Sequence, residues 1–337
     1  MAVLKRRYVI ISIIAILVIA IVLSSFAYLN VQKSNSGTIA NLSLGGLPYE
    51  YQTLVDVAQN QHYFAENNIN LTMSSYPSGP AAMTALSSNA VDVCVAADYA
   101  FVEGVIQKQN ITVIASVDQG EFVSLLIRND SGIKSPSDLA GHRVGLTLGT
   151  IEEFYLDQYL ELQGLNLSNV TVVNVSNAQD AVAAITNGTV DALVTTQLIA
   201  AQVQSQMGNN VFAWNVQGNQ LSIMLLICRS QWVVQNNDIV VRFLKALSKA
   251  ENYVINNPSS AHAIVNSQLN TTISQTEWSN NRFSLQLGQS LILTLDYQGQ
   301  FLISNNLTKA TTVPNFTNYI YTQGLESVDP DYVNIIG

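Results

Sequence analysis

Three turns in this chain join residues that expose backbone N–H groups to residues that cap a helix. Ser78-Gly79-Pro80, Ala97-Asp98-Tyr99 and Gly149-Thr150-Ile151-Glu152 each follow an apolar, β-branched run and lead into an amphipathic stretch. A serine or threonine at such a turn accepts from an N–H two or three residues on, and the other helix-end N–H groups carry partial positive charge. That arrangement holds a small acceptor group, a sulfonate, carboxylate or nitrate, with no bond made or broken. Asp98, Glu152 and Glu153 bring negative charge to the same helix ends, and no motif places a lysine or arginine there. A ligand with an acidic group and an amine or ring N–H, taurine-like or pyrimidine-like, uses both features, its donor end facing Asp98 or Glu152. Tyr49 and Tyr99 stand at expected strand ends and join the site as aromatics. Tyr155, Trp214 and Tyr297 are weaker candidates, because most aromatics are core.

Catalytic patterns are weak by comparison. The chain has no G-x-S-x-G, H-E-x-x-H, G-x-x-x-x-G-K or C-x-x-C. His62, His142 and His262 are far apart, and read as surface or helix-face residues rather than metal ligands. Glu152 and Glu153 are helix neighbours about 100° apart, which suits a helix dipole better than a shared proton transfer. Neither an enzyme nor a cofactor is expected. Cys94 and Cys228 fall on the apolar runs VDVCVAA and SIMLLICR, and either a disulfide or two buried thiols is open.

The elements that must position these turns alternate in type. LSLGG, INLTMSS, VDVCVAA and ITVIASV read as strands, with helices starting near Tyr49, Ser78 and Asp98. A second series follows: a helical turn at Ser135-Pro136 ended by Gly141, a strand from Arg143 to Leu148, a helix opened by Thr150, the strand VTVVNV, a helix from Asn177 to Asn187, and VDALVTT. This alternation defines an α/β chain whose sheets are mainly parallel, with helices on both faces. ALSSNAVDV in the first series is echoed by the helix end leading to VDALVTT in the second. The two halves read as variants of one plan. EFVSLLIR reads as a strand that crosses out of the first series. Asp238 to Asn256 is an amphipathic helix, Pro258 opens another, and Trp278 to Leu295 reads as helical with Tyr297 just beyond.

The amino-terminal end reads differently. Lys5, Arg6 and Arg7 precede an almost wholly apolar run from Tyr8 to Leu29, about 22 residues or ~33 Å of helix, enough to cross a ~30 Å hydrocarbon core. The basic flank keeps that end in the cytoplasm and sends the rest outside. An uncleaved N-terminal transmembrane helix (1–29) is favoured over a cleaved signal, since the run is long, no small-x-small site follows and no lipobox cysteine is present. Residues 30–38 are a polar tether. Formal net charge is -9 and charged residues make up only 11% of the chain. Nucleic acid is thereby an improbable partner, and the low charge suits an acidic or otherwise harsh exterior. Eleven N-x-S/T sequons, at Asn41, Asn70, Asn110, Asn129, Asn166, Asn169, Asn174, Asn187, Asn270, Asn306 and Asn315, also favour the outside.

The run RNDSGIKSPSDLAGHRVGLTLGT, the helix after it, and LELQGLNLSNVTVVNVSNAQDAVAAITNGTVDALVTT resemble the sulfonate, nitrate, taurine and thiamine-precursor group of ABC-transporter substrate-binding proteins. The likeness spans about Leu42 to Val265. It implies a two-lobe periplasmic-binding-protein-like (type II) fold, with residues 39–124 and 225–337 as lobe 1, 125–224 as lobe 2, SIMLLICR as the strand on which the chain returns, and Cys94 and Cys228 on adjacent strands of lobe 1. It also implies a monomer that captures a small molecule and passes it to an ABC permease at the outer face of the cell membrane. Where many relatives carry an aromatic, Glu and Pro after the VDA run, this chain has Thr196, Gln197 and Leu198, of which Thr196 and Gln197 are taken as ligand-binding. The expected site is therefore Tyr49, Ser78, Gly79, Ala97, Asp98, Tyr99, Gly149, Thr150, Ile151, Glu152, Thr196 and Gln197. The alternatives are an enzyme on the same scaffold, of the thiamine-pyrimidine or menaquinone-pathway kind, and a ligand sensor feeding a membrane partner.

Overall fold

The computed structural model describes residues 38–218 and 220–336. The apolar amino-terminal run and most of the tether lie outside the described residues; among those described, no helix is long and apolar enough to cross a membrane. Residues 41–337 form one compact unit. Its main strands are β1 (Ala40–Gly46), β2 (Ile69–Ser75), β3 (Val93–Ala97), β4 (Ile111–Gly120), β5 (Val123–Arg128), β6 (Arg143–Leu146), β7 (Thr171–Asn174), β8 (Ala192–Thr196), β9 (Val211–Trp214) and β10 (Ser222–Arg229). They make two five-stranded sheets, ordered β2-β1-β3-β10-β4 and β7-β6-β8-β5-β9.

The sheets share one plan. In the first, β1 runs parallel to β3, and β10 enters antiparallel between β3 and β4. In the second, β6 is parallel to β7 and β8, and β5 takes the antiparallel place between β8 and β9. The antiparallel strand in each sheet is one that arrives from the other. Glu121 and Phe122 span the outward crossing and residues 215–221 the return. Gln217 ties the two crossings together: its Oε1 accepts from Val123 N at 2.7 Å, and its Nε2 donates to Gly120 O at 3.3 Å and Gln220 O at 2.8 Å. Because β10 begins at Ser222, residues 222–224 pair in the first sheet rather than the second.

The helices used below are α1 (Thr53–Asn60), α2 (Gly79–Ser87), α3 (Asp98–Ile106), α4 (Ile151–Glu161), α5 (Ala178–Thr186), α6 (Gln197–Met207), α7 (Asn237–Asn256), α8 (Pro258–Leu269) and α9 (Gln289–Ser304). Helices on both sheet faces explain why β3, β4 and β10 are nearly continuous buried runs and not alternating ones. Strand β9 and helix α6 were not anticipated from the sequence.

The expected helix over Trp278 to Leu295 is a correction. A short turn ends at Ser279 and α9 starts only at Gln289. Between them the chain lies along β4, with Ser116 N donating to Gln286 O at 2.9 Å and Arg282 N to Gln119 O at 2.8 Å. Strand β4 is a sheet edge, and its unpaired donors and acceptors outweigh the helical pattern of this segment. Tyr297 accordingly lies inside α9. The tail packs on the same region, Tyr321 N donating to Val113 O at 2.8 Å and the Tyr332 hydroxyl to Glu251 Oε2 at 2.6 Å.

The two cysteines are free and buried. They sit on adjacent strands as expected, but Cys94 is opposite Ile227 and Cys228 opposite Val93. That one-residue offset directs the thiols to opposite sheet faces and rules out a bond between them.

Candidate functional site

One cleft gathers the carboxyl ends of the strands of both sheets. Leu47 and Tyr49 follow β1, Ser78 and Gly79 follow β2, and Ala96 and Ala97 close β3. Facing them, Thr147, Thr150, Ile151 and Glu152 follow β6, Asn177 and Ala178 follow β7, and Thr195 and Thr196 close β8. Tyr51, Phe122 and Met224 complete the floor. The free space is about 690 Å³, open solvent at its mouth included.

Local sequence explains the turns. Ser78 Oγ caps α2 by accepting from Ala81 N at 3.3 Å, Thr150 Oγ1 caps α4 through Glu152 N at 3.2 Å, and Asn177 Oδ1 caps α5 through Asp180 N at 2.9 Å. The three aromatics form a chain: Tyr49 meets Tyr51 edge-on at 5.5 Å between centroids, and Tyr51 meets Phe122 at 6.0 Å. Tyr49 also packs on the second half's hydrophobic core, so it touches both halves.

Among the described residues, Glu152 is the one charged side chain that lines the cleft. It is 6% exposed, accepts from Thr147 N at 2.6 Å, and burial pushes its carboxyl up to about 7 despite that bond. Burial, and then the charge of Glu152, lift the Tyr49 hydroxyl to about 12. Thr196 Oγ1 stands near Tyr49 and has no hydrogen-bond partner of good geometry. Among the described residues that line the cleft there is no lysine, arginine or histidine.

Eight of the twelve expected residues line this cleft: Tyr49, Ser78, Gly79, Ala97, Thr150, Ile151, Glu152 and Thr196. The other four are placed elsewhere. Asp98 is wholly buried, accepting from Tyr99 N at 2.8 Å and Ile223 N at 3.0 Å, so it fastens α3 to β10 and does not line the cleft. Tyr99 is fully buried against Phe154, centroids 5.3 Å apart. Gln197 bonds the crossing, its N donating to Phe122 O at 2.9 Å. Gly149, at φ +72°, is where the halves touch: a Cβ there would lie 2.9 Å from Glu103 Oε2 and 3.6 Å from Pro80 Cγ. Nor are the N–H groups of that loop free. Gly149 N donates to Glu153 Oε2 at 2.7 Å and Leu148 N to Asn174 Oδ1 at 3.1 Å.

Of the weaker candidates, Tyr155 accepts from Ser222 Oγ at 3.0 Å, Trp214 packs on Phe212, and Tyr297 is half exposed beside Phe154. None lines the cleft. Phe154 is instead the centre of an aromatic cluster joining α4 to α3 and α9, with Phe301 at 4.9 Å. Sequence reasoning missed Tyr51, Phe122, Thr147, Asn177, Thr195 and Met224 as lining residues. Asn177 was within reach, since it follows β7 as Thr150 follows the strand before it.

Two sheets of identical strand order, joined by two crossings and meeting at a cleft, define a two-lobed periplasmic-binding-protein-like α/β fold. The chain belongs to the NMT1/THI5-like family, whose model matches residues 51–261. A putative thiamine biosynthesis protein of Haemophilus influenzae is 26% identical over 231 residues, covering 66% of this chain and 72% of that protein. Among solved structures, the alkanesulfonate-binding protein SsuA from Xanthomonas axonopodis pv. citri, bound to MOPS, matches with a TM-score of 0.73 at 16% identity, covering 85% of this chain and 100% of that one. The desulfurization enzyme DSZB matches with a TM-score of 0.62 at 15% identity, covering 86% of this chain and 99% of its own.

Proposed function

We propose that the chain is the extracytoplasmic solute-binding component of an ABC importer, held at the outer face of the membrane by its apolar amino-terminal run. Residues from about 40 to 120, with those from 222 onward, act as one lobe and 123–214 as the other. The ligand lies between them, draws them together, and the permease recognises the closed form. The observation that carries this reading is the cleft itself, built in equal measure from the strand ends of both sheets. Sulfonate binding by the structural neighbours and thiamine biosynthesis in the sequence relative agree with a small, polar ligand.

Within that class, the lining favours a planar ring bearing an amine or ring N–H, of the aminopyrimidine kind. Tyr49, Tyr51 and Phe122 offer ring faces and edges, and Glu152 and Thr196 offer acceptors. A bare sulfonate would lack a cationic partner and would compete with Glu152 and Glu153 for the N–H groups of Thr147 and Gly149. Calorimetric titration with an aminopyrimidine, taurine, an alkyl sulfonate and nitrate tests the choice. The aminopyrimidine should bind most tightly, and Glu152→Gln should weaken it by roughly 10- to 100-fold, the loss of one charge-assisted bond. Tighter binding of nitrate or the sulfonate, unchanged in Glu152→Gln, would refute the ligand class and leave the clamp standing. An enzyme is the second reading, since the fold also carries a desulfurization enzyme; turnover of the bound ligand would reveal it.

A further inference from the structure

We propose that this chain carries N-linked glycans, and that they crowd the ends of both halves that point away from the cleft. Sequon number and placement support this, and exposure permits it. With 33 asparagines, and with Ser and Thr at 52 of 337 positions, chance would supply roughly five N-x-S/T sequons, and there are eleven. All eleven sequon asparagines are exposed, whereas the half-buried asparagines, Asn177 of the cleft and Asn281 at the crossing among them, head no sequon. Exposure is ordinary for asparagine, and non-sequon residues such as Asn60, Asn89 and Asn252 are exposed as well, so exposure permits the modification at all eleven sites without singling them out.

The second observation is placement. The cleft sits at the carboxyl ends of the parallel strands, so the opposite rim is formed by their amino ends. Asn41 and Asn70 enter β1 and β2, and Asn110 directly precedes β4. In the second half, Asn166 and Asn169 precede β7 and Asn187 lies in the turn before β8. Asn129 follows β5, whose end lies beside the start of β8 through the pair Ile127 and Ala192. Seven sequons thus share the two rims remote from the ligand, and none of the eleven lines the cleft. Asn270 and Asn306 follow helices α8 and α9 and Asn315 lies in the tail, outside both rims, while Asn174 ends β7 on the cleft side, with Oδ1 engaged by Leu148 N. At Asn187 and Asn315 the sequon threonine hydroxyl donates to Oδ1, at 2.6 and 2.7 Å, and the acceptor nitrogen Nδ2 is on an exposed residue. Bulky sugars on the outer rims leave a clamp free to close.

The chemistry is a transfer from a lipid-phosphate-linked oligosaccharide. Nδ2 forms the bond to the anomeric carbon, the carbon–oxygen bond to phosphate breaks, the amide proton passes to a base of the transferase, and the lipid phosphate departs as an anion. The inference rests on the outward topology proposed above and not on any ligand.

The test is glycopeptide mass spectrometry on the full chain purified from the membranes of the organism that makes it. A protease that cuts at apolar residues is needed, because lysine and arginine total only 14. Sugar mass is expected on at least two of Asn110, Asn129 and Asn187, with Asn177 unmodified as the internal control. Modification at fewer than two of the three, or sugar at Asn174 in preference to them, overturns the proposal. Because this readout involves no ligand, its failure would leave the solute-binding reading untouched, and failure of the titrations would leave the glycan map untouched.

Discussion

Lowering the pH from 8 to 5 should stabilise this protein. Glu50 is 5% exposed with Oε2 unpartnered, and burial, with the Glu277 charge as a smaller cause, pushes its carboxyl from 4.5 to about 7. Asp56 is 3% exposed with Oδ2 unpartnered, and burial raises it from 3.8 to about 7. A group whose folded pKa exceeds its unfolded one binds more protons in the fold between the two values. Its contribution is therefore complete below about 4.5 and lost as pH rises through about 7. At 1.36 kcal/mol per pH unit, Glu50 alone is worth about 2–3 kcal/mol between pH 5 and pH 8, an upper bound because burial energies relax. For a chain of this size that is roughly 5 °C in Tm. Thermal unfolding across pH 4.5–8 reads it out. Glu50→Gln should raise Tm at pH 8 by about that amount, change it little at pH 5, and flatten the profile. A Tm maximum at pH 7–8, or a Glu50→Gln profile parallel to that of the parent, would refute the reasoning.

Two packing predictions address how the halves meet. Gly149→Ala should cost about 1–2 kcal/mol, because its φ of +72° disfavours a Cβ that would also lie 2.9 Å from Glu103 Oε2; adding Glu103→Ala should recover the contact part and leave the backbone part, as a double-mutant cycle in Tm would show. Phe154→Ala should cost about 3–5 kcal/mol, since this 1% exposed ring packs on Tyr99, Tyr155 and Phe301. Tyr297→Ala, at 52% exposure, should cost under about 1 kcal/mol, and equal Tm losses for the two would contradict the assigned cluster.

Much of the architecture was legible because its punctuation is local. Ser78, Thr150 and Asn177 each cap the helix that follows, and a cap depends on a hydroxyl or amide within three residues of its partner. The β-branched runs bounded by glycine or asparagine located eight of the ten main strands, and the repeated small-residue-then-VDA or VDV pattern exposed the duplication. The failures have a physical cause in common. The segment after Ser279 follows the open edge of β4, a partner more than 150 residues away in sequence, and no local period records that edge.

At the site the same division holds. The amino-acid sequence determined where the turns fall, that they share one rim, and that the rim bears acids and hydroxyls without a cation. Which side chains enter the cleft was decided only by tertiary structure. Ala97 lines it while its neighbour Asp98 turns inward to Ile223 N, and Glu152 lines it while Glu153 turns back to Gly149 N. Adjacent residues on a helix point about 100° apart, so the rotation of each helix against its sheet selects one of them. That rotation is set by the packing of α3 against β10 and α9, and of α4 around Phe154, through contacts between residues distant in the chain.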